Sequence, residues 1–188
     1  METEGTSVFT VSAFKLLEER GSSPFFVMRK LEAKNCAHGK GVFAKEPFKA
    51  GEEILKFKGP VVDIKDLPEP YTADTDYYLQ IGENLFMGPS GQHDDYVNHS
   101  CEPNCGIRFN IDTIKLVAIV PINAGHQITF DYSTTMYNFA YEMKCTCNSN
   151  NFRRRVKNFV DLPSKIQARY IKLGIVPLYL LNVLQRQL

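Results

Sequence analysis

The sequence contains no apolar run approaching the about eighteen residues that a membrane span requires. Its nearest candidate, residues 175–184, is broken by Pro177 and Asn182. A secretory leader is not expected either. METEGTSVFTVSAF opens with acidic residues where a leader carries basic ones, and no long apolar stretch follows. Charge of one sign is not in excess: the formal net charge is +1, which removes any general pull toward nucleic acid or anionic membrane and leaves only local patches. Cysteine is present but not in an even set. The five, at 36, 101, 105, 145 and 147, are bunched rather than spread. A disulfide framework in a small secreted chain shows an even count, so the expectation is a reducing, intracellular compartment. Internal repeats and low-complexity tracts are absent too.

What is there fits one domain with a small appendage. At 188 residues, 44 % of them hydrophobic and 23 % charged, the chain can bury a sizeable core. Residues 9–20 (FTVSAFKLLEER) read as a short helix ended by Gly21, and FFVMRKLEAK after Pro24 reads as a strand. HGKGVFA is a glycine-flexed turn leading into a short apolar strand, and EEILKFKGPVV is strand-like again. Residues 63–75 read as a connecting loop. YYLQIG and NLFMG predict a hairpin, and GIRFNIDTIKLVAIVPI predicts another that turns near 110–113. NAGHQITFDY supplies a turn and a last strand. Apolar residues at 166, 170, 171 and 173 predict a helix stopped by Gly174, with a second apolar piece after Pro177. The fold class is therefore mostly β, built of short strands, with helical weight at the ends.

YVNHSCEPNC, residues 96–105, does not fit that plain picture. A histidine, two cysteines, two asparagines, a serine and a proline follow one another with almost nothing to bury. Asn, Ser and Pro are turn formers, and a surface turn is one reading of the segment. The other comes from its company. GKGVFA (39–44), NHSCEPN (98–104) and GHQITFDY (125–132) occur in that order, and together they resemble the SET-domain protein lysine methyltransferases over roughly residues 25–147.

That resemblance implies a fold of short strands and small sheets around a knot-like core, one of the rare exceptions to unthreaded topology. It implies an N-terminal extension at 1–24, a SET domain at 25–141, a post-SET-like segment at 142–155 and a helical tail at 156–188. It also implies methyl transfer from S-adenosylmethionine to the side-chain amine of a protein lysine. Gly39, Lys40 and Gly41 would meet the cofactor's amino-acid end, since glycine permits close backbone approach. Asn98 and His99 would sit against the cofactor, and Ser100 and Asn104 would satisfy buried backbone groups. Tyr132 would point its phenol at the meeting place of amine and methyl. Phe130, two positions earlier on the same strand face, would allow more than one methyl to be added. Tyr78 resembles an aromatic of the lysine channel, with Tyr77 as the alternative. The donor methyl is already activated, so the protein must supply alignment, a neutral amine and a dry channel rather than a metal.

The chain departs from the family in its tail. Relatives with a post-SET zinc site use the NHSC cysteine and a C-x-C-x4-C tail. Cys101, Cys145 and Cys147 fill the first three places, but Phe152 stands at the fourth. A structural zinc site wants four ligands, so zinc is left open, with Cys105 as the substitute ligand. The alternative anchor is Phe152 itself, packed as apolar surface over the cofactor. His38 and His126 read as exposed turn residues, and Arg153, Arg154 and Arg155 as a solvated helix start. The expected partner is a protein with an exposed lysine segment, a histone tail by the family's habit, which would place the chain in the nucleus, or otherwise in the cytoplasm. No direct nucleic-acid or membrane partner is expected. The rival reading is a SET fold with weak or lost turnover that binds a peptide, or an enzyme acting on a non-histone protein.

Overall fold

The computed structural model describes residues 30–37, 39–72, 75, 77–138 and 143–186. The helix expected at 9–20, the start of the strand after Pro24, His38 and residues 139–142 lie outside the described residues.

Ten short strands form four small sheets among the described residues. Strands β1 (Leu31–Cys36) and β2 (Gly39–Ala44) pair antiparallel from Leu31↔Ala44 to Cys36↔Gly39. The glycine segment is therefore itself strand, where the sequence suggested a turn before a strand. Strands β3 (Glu53–Phe57), β9 (Ile114–Ala118) and β8 (Cys105–Phe109) form one three-stranded sheet. The β8–β9 hairpin closes at Asn110, whose N–H donates to the Thr113 carbonyl at 2.9 Å. Strands β4 (Val61–Asp63), β6 (Leu85–Met87) and β5 (Leu79–Gln80) form the other, which contains the second expected hairpin. Strands β7 (Asn98–His99) and β10 (Thr129–Phe130) make a two-residue parallel pair.

Alternation decides which faces meet. Val42, Ala44, Leu55, Ile107, Leu116 and Ile128 are buried together with Phe130 in one central apolar cluster. At roughly 25 cal/mol for each Å² of apolar surface removed from water, burial of this cluster is the main term holding the small sheets in register.

Two helices follow, α1 (Ser164–Lys172) and α2 (Leu178–Arg186), as the periodicity predicts. Helix α1 ends in a paired cap: Gly174 N–H donates to the Ile171 carbonyl at 3.0 Å and Ile175 N–H to the Tyr170 carbonyl at 3.3 Å. That pattern needs a left-handed residue, and Gly174 supplies it at φ +64°. Phe159, Leu162, Tyr170, Ile175 and Leu180 make a second, smaller core under the two helices. It rests on β8 at Gly106, where a Cβ would stand 2.4 Å from Ile175 Cγ2; only glycine admits the helical tail this close. No helix among the described residues is long and apolar enough to cross a membrane.

Candidate active site

The parallel β7–β10 pair brings the NHSC segment alongside the last strand, with Asn98 opposite Thr129 and His99 opposite Phe130. Ser100 N–H continues the ladder by donating to the Phe130 carbonyl at 3.0 Å. The strand then stops. Asp131 caps a single helical turn, Tyr132–Thr134, by accepting from Ser133 N–H at 3.2 Å. Tyr132 is therefore not on the same strand face as Phe130, as simple alternation would have it. The turn nevertheless brings the two rings to 4.8 Å, with the Tyr132 hydroxyl donating to the Val97 carbonyl at 2.9 Å.

Phe130 and Tyr132 line a narrow cleft of about 80 Å³ together with Phe57, Tyr77, Tyr78 and Met87. Both tyrosines between which the sequence could not choose line it; Tyr77 is the more exposed and Tyr78 the half-buried one. Asp94 and Asp95 also border it, but their oxygens are already engaged. Asp94 accepts from Lys58 N–H at 2.9 Å and from Ser90 Oγ at 2.6 Å, and Asp95 from Ser90 N–H at 2.8 Å and Gly91 N–H at 2.6 Å.

Gly39, Lys40, Gly41, Asn98 and His99 do not line that cleft. Asn98 Nδ2 donates to the Lys40 carbonyl at 3.0 Å, tying the NHSC segment to the glycine strand. At Gly41 a Cβ would meet Gln127 Nε2 at 2.4 Å and Asn98 Nδ2 at 3.0 Å, so the side chains pack directly on its backbone. At Gly39, φ is +81° and a Cβ would meet nothing within 4 Å, which leaves the backbone open to an approaching group. Lys40 lays its ammonium 4.9 Å from the Tyr96 ring centre. Ser100 and Asn104 serve the backbone as expected: Ser100 Oγ accepts from Glu102 N–H, and Asn104 bridges the Gln127 carbonyl and Thr129 N–H. His126 is exposed, also as expected.

Behind Tyr132 lies a buried polar network. Asp131, with a fully buried carboxylate, accepts from Arg153 Nη2 at 2.7 Å on each oxygen and from the Tyr170 hydroxyl at 2.8 Å. His99 Nδ1 stands 3.6 Å from Asp131 Oδ1 and accepts from Tyr132 N–H at 3.3 Å. Burial pushes the His99 imidazole down to about 4; the Asp131 carboxylate works against this and the Arg153 guanidinium adds to it. His99 is thus neutral, and its ring meets that of Tyr132 edge-on at 5.3 Å. Burial likewise raises the Tyr170 hydroxyl, and the Asp131 carboxylate raises it further. Arg153 is not the solvated helix start expected of it. It is half-buried against Asp131, while Arg154 and Arg155 are exposed.

The tail cysteines converge below this network. Cys101 and Cys145 Sγ lie 3.6 Å apart, and Cys147 Sγ accepts from Cys101 N–H at 3.4 Å and faces Ser149 Oγ at 3.4 Å. Cys145 Sγ in turn accepts from Cys147 N–H at 3.5 Å. Burial pushes the Cys101 thiol up to about 12. At Cys147 burial also acts upward, but bonds from Cys101 N–H and from Ser149 outweigh it and bring the thiol down to about 6. Thiols gathered this closely, with amide hydrogens aimed at their sulfurs, are a donor set that suits zinc. Cys105 is not among them: it is wholly buried on β8 in the central core, with burial pushing its thiol far up. That corrects the expectation that Cys105 substitutes for the missing fourth ligand. Phe152 is 41 % exposed, while Cys145 and Val156 are buried together with Cys101, and Arg153 bonds to Asp131.

The model of the SET domain matches residues 39–133. The chain belongs to the SET-domain family. It is 29 % identical over 141 residues to the Arabidopsis thaliana histone-lysine N-methyltransferase ASHH3, covering 69 % of this chain and 38 % of that protein. It is 32 % identical over 126 residues to the Drosophila melanogaster histone-lysine N-methyltransferase ash1, covering 61 % of this chain and 6 % of that one. The chain thus spans well under half the length of these curated relatives. Among solved structures, KRYPTONITE in complex with mCHH DNA, an H3(1-15) peptide and SAH superposes with a TM-score of 0.55 at 23 % identity, over 68 % of this chain and 29 % of that one. That likeness shows the SET fold.

Sequence reasoning missed Asp131 of this SET domain and Arg153 and Tyr170 of the tail as a unit. Asp131 was visible only as the neighbour of Tyr132. Arg153 is one of three consecutive arginines of identical chemistry, and Tyr170 looked like an ordinary apolar-face residue of a helix. No local signal joins the three.

Proposed function

We propose that this SET domain transfers methyl groups from S-adenosylmethionine to the side-chain amine of a protein lysine, with a histone tail as the substrate class. One observation carries the reading most: Tyr132 lines a narrow aromatic cleft, while Gly39–Gly41, Asn98 and His99 stay outside its lining, with Asn98 tied to the Lys40 carbonyl. Two reactants entering from two sides would meet near the Tyr132 hydroxyl. The open backbone at Gly39 fits a ligand laid against it. Bound there, S-adenosylmethionine supplies an already activated methyl on its sulfonium. Gly39, Lys40, Gly41, Asn98 and His99 are the residues that would hold it.

The chain's own contribution is alignment and dryness. Phe57, Tyr77, Tyr78 and Phe130 wall the cleft with aromatic surface that accepts the lysine stem and disfavours a charged ammonium deep inside. Tyr132, fixed by its bonds to Val97 and His99, is held in the cleft lining beside Phe130. Phe130 presents no polar atom there, which leaves room for a methylated amine and supports addition of more than one methyl. The names of ASHH3 and ash1 and the H3(1-15) peptide bound to KRYPTONITE support histone as the class to test first.

The test offers core histones and a whole-cell extract to the protein with methyl-labelled S-adenosylmethionine, beside Tyr132→Phe. We expect label in a discrete histone band, products beyond monomethyl-lysine by mass spectrometry, and a loss of about 100-fold or more in the variant, the scale for removing one positioned polar group from a site. Label in a non-histone band would replace the substrate class. Cofactor binding by calorimetry without label in any band would overturn turnover in favour of a binding module.

A further inference from the structure

Charge in this chain is strongly partitioned. Residues 143–186 hold nine of its 22 lysines and arginines but one of its 21 acidic residues, Asp161. That segment therefore carries +8 and the remainder −7, which the near-zero total masks. Such an asymmetry within one chain points to a polyanionic partner for the basic part. We propose that the exposed surface of this basic tail binds the phosphate backbone of a double-stranded nucleic acid without reading its sequence. The inference goes beyond the methyl-transfer reading and does not depend on it.

Two of the nine cations are spent on carboxylates of the body, Arg153 on Asp131 and Arg186 on Glu83. The other seven are exposed and fall into two groups. Chain reversal builds the first. Lys144 and Arg155 are antiparallel bridge partners, with Arg154 adjacent and Lys157 two positions on. Like charges on facing positions repel. Arg154 also adopts a left-handed backbone at φ +67°, a conformation that strains an arginine and would not strain glycine. Helix α1 carries the second group. Lys165, Arg169 and Lys172 stand at i, i+4 and i+7, which sets them on one arc of about 60°. The helix contains no acidic residue, so none of the three has an oppositely charged neighbour along it. Its dipole favours cations at Arg169 and Lys172 in the last turn but opposes Lys165 in the first. Arg153 and Tyr170, sequence neighbours of Arg154 and Arg169, both bond to Asp131, so one buried carboxylate anchors both groups.

Positive charge is thus held on this surface against local repulsion, and a bound polyanion relieves it. A nucleic-acid duplex suits the surface in both density and chemistry. Duplex DNA presents one charge for each about 1.7 Å of its axis. Phosphate oxygens accept paired bonds from arginine forks, and three of the seven exposed cations are arginines, at 154, 155 and 169. A bilayer suits it less. Ile166, Tyr170 and Leu173 of α1 are packed in the second core, which leaves the helix no apolar face to insert. Contacts to phosphate fix a protein on a duplex but carry no sequence information.

The experiment titrates the full chain into fluorescent DNA and RNA duplexes and follows anisotropy as salt is raised. Binding should weaken by about 100-fold between about 50 and 200 mM salt, the slope for about four neutralised phosphates. The tighter of the two duplexes names the source of the phosphate, and a scrambled sequence should bind equally well. Replacing Lys165, Arg169 and Lys172 together by glutamine should weaken binding and flatten the salt slope by about 2–3, close to one for each cation. Arg154→Gly separates binding from folding. It relieves the left-handed strain, so the urea midpoint should hold or rise, yet binding should weaken and the slope fall by about one. Failure to bind either duplex at low salt would overturn the proposal, as would a slope that neither variant changes. A marked preference for one sequence would overturn the backbone reading. Displacement of the duplex by polyglutamate at equal charge would make the occupant an acidic protein instead. Because none of these readouts uses methylation, failure of the methyl-transfer reading would leave them intact.

Discussion

Strand β8 is held to β9 by five matched residue pairs, Cys105↔Ala118 through Phe109↔Ile114. The tail from 143 to 186 reaches the same body mainly through side chains. Arg153 and Tyr170 bond to Asp131, Ile175 packs on Gly106, and the Tyr179 hydroxyl bonds to the carbonyls of Gln80 and Thr135. Backbone ladders distribute their energy over many equivalent bonds, each worth about 1 kcal/mol net. A side-chain attachment concentrates it in a few buried groups, where loss of one partner strands the other. The body should therefore tolerate single substitutions that the tail does not, although both contribute to the ground on which Tyr132 stands.

The sharpest way to break that contrast is Asp131→Ala. It removes the shared acceptor of Arg153 and Tyr170 and leaves the guanidinium without its counter-charge in a half-buried place. A loss of about 3–5 kcal/mol in urea unfolding is expected. Limited proteolysis should then cut the tail before the body. Equal susceptibility of both parts would mean that the tail does not depend on Asp131.

A smaller effect is expected at the apolar contact. Gly106→Ala puts a methyl 2.4 Å from Ile175 Cγ2 and 2.8 Å from its Cβ, and overpacking of this kind costs about 1–3 kcal/mol. Adding Ile175→Ala removes the Cγ2 and Cδ1 atoms that clash, so the double variant should be more stable than the sum of its two single losses. A strictly additive cycle would show that the two residues do not meet in solution.

These two contacts also show what the sequence makes legible. The three motifs carried the fold class and the neighbourhood of Tyr132 with Phe130, because each motif encodes a local backbone path; the two tyrosines of the cleft lie outside the motifs and followed only from the family resemblance. The helices of the tail were legible from apolar spacing, with Gly174 and Pro177 as punctuation. The attachment of tail to body was not. Whether Arg153, Arg154 or Arg155 turns inward is decided by the reversal that brings Lys144 opposite Arg155 and sends Cys145 N–H to the Arg154 carbonyl. Identical side chains carry no record of that path. The same holds for His99: its place in NHSC marks it as functional, but only the fold turns its Nε2 to Cys101.

Tyr179→Phe tests the attachment at the cleft wall. It removes one hydroxyl that serves the carbonyls of Gln80, a cleft-lining residue, and Thr135. A loss of about 1 kcal/mol is expected in thermal or urea unfolding. A change in stability several times larger would make this bond, rather than Asp131, the main attachment of helix α2.

The smallest effect belongs to the last side-chain link, Arg186 to Glu83 at 2.6 Å, which joins the end of α2 to the loop between β5 and β6. It has the same partners in kind as Arg153 and Asp131, an arginine and a carboxylate at nearly equal distance. The difference is exposure: 58 % and 40 % for this pair, against 14 % and 0 % for the buried one. In water each partner is well solvated without the other, and holding two long side chains together costs entropy. Arg186→Ala should therefore shift stability by no more than about 0.5 kcal/mol at low salt. At 1 M salt, where the screening length falls to about 3 Å, the shift should vanish. A large, salt-resistant loss would show that distance alone, rather than burial, ranks the bonds between tail and body.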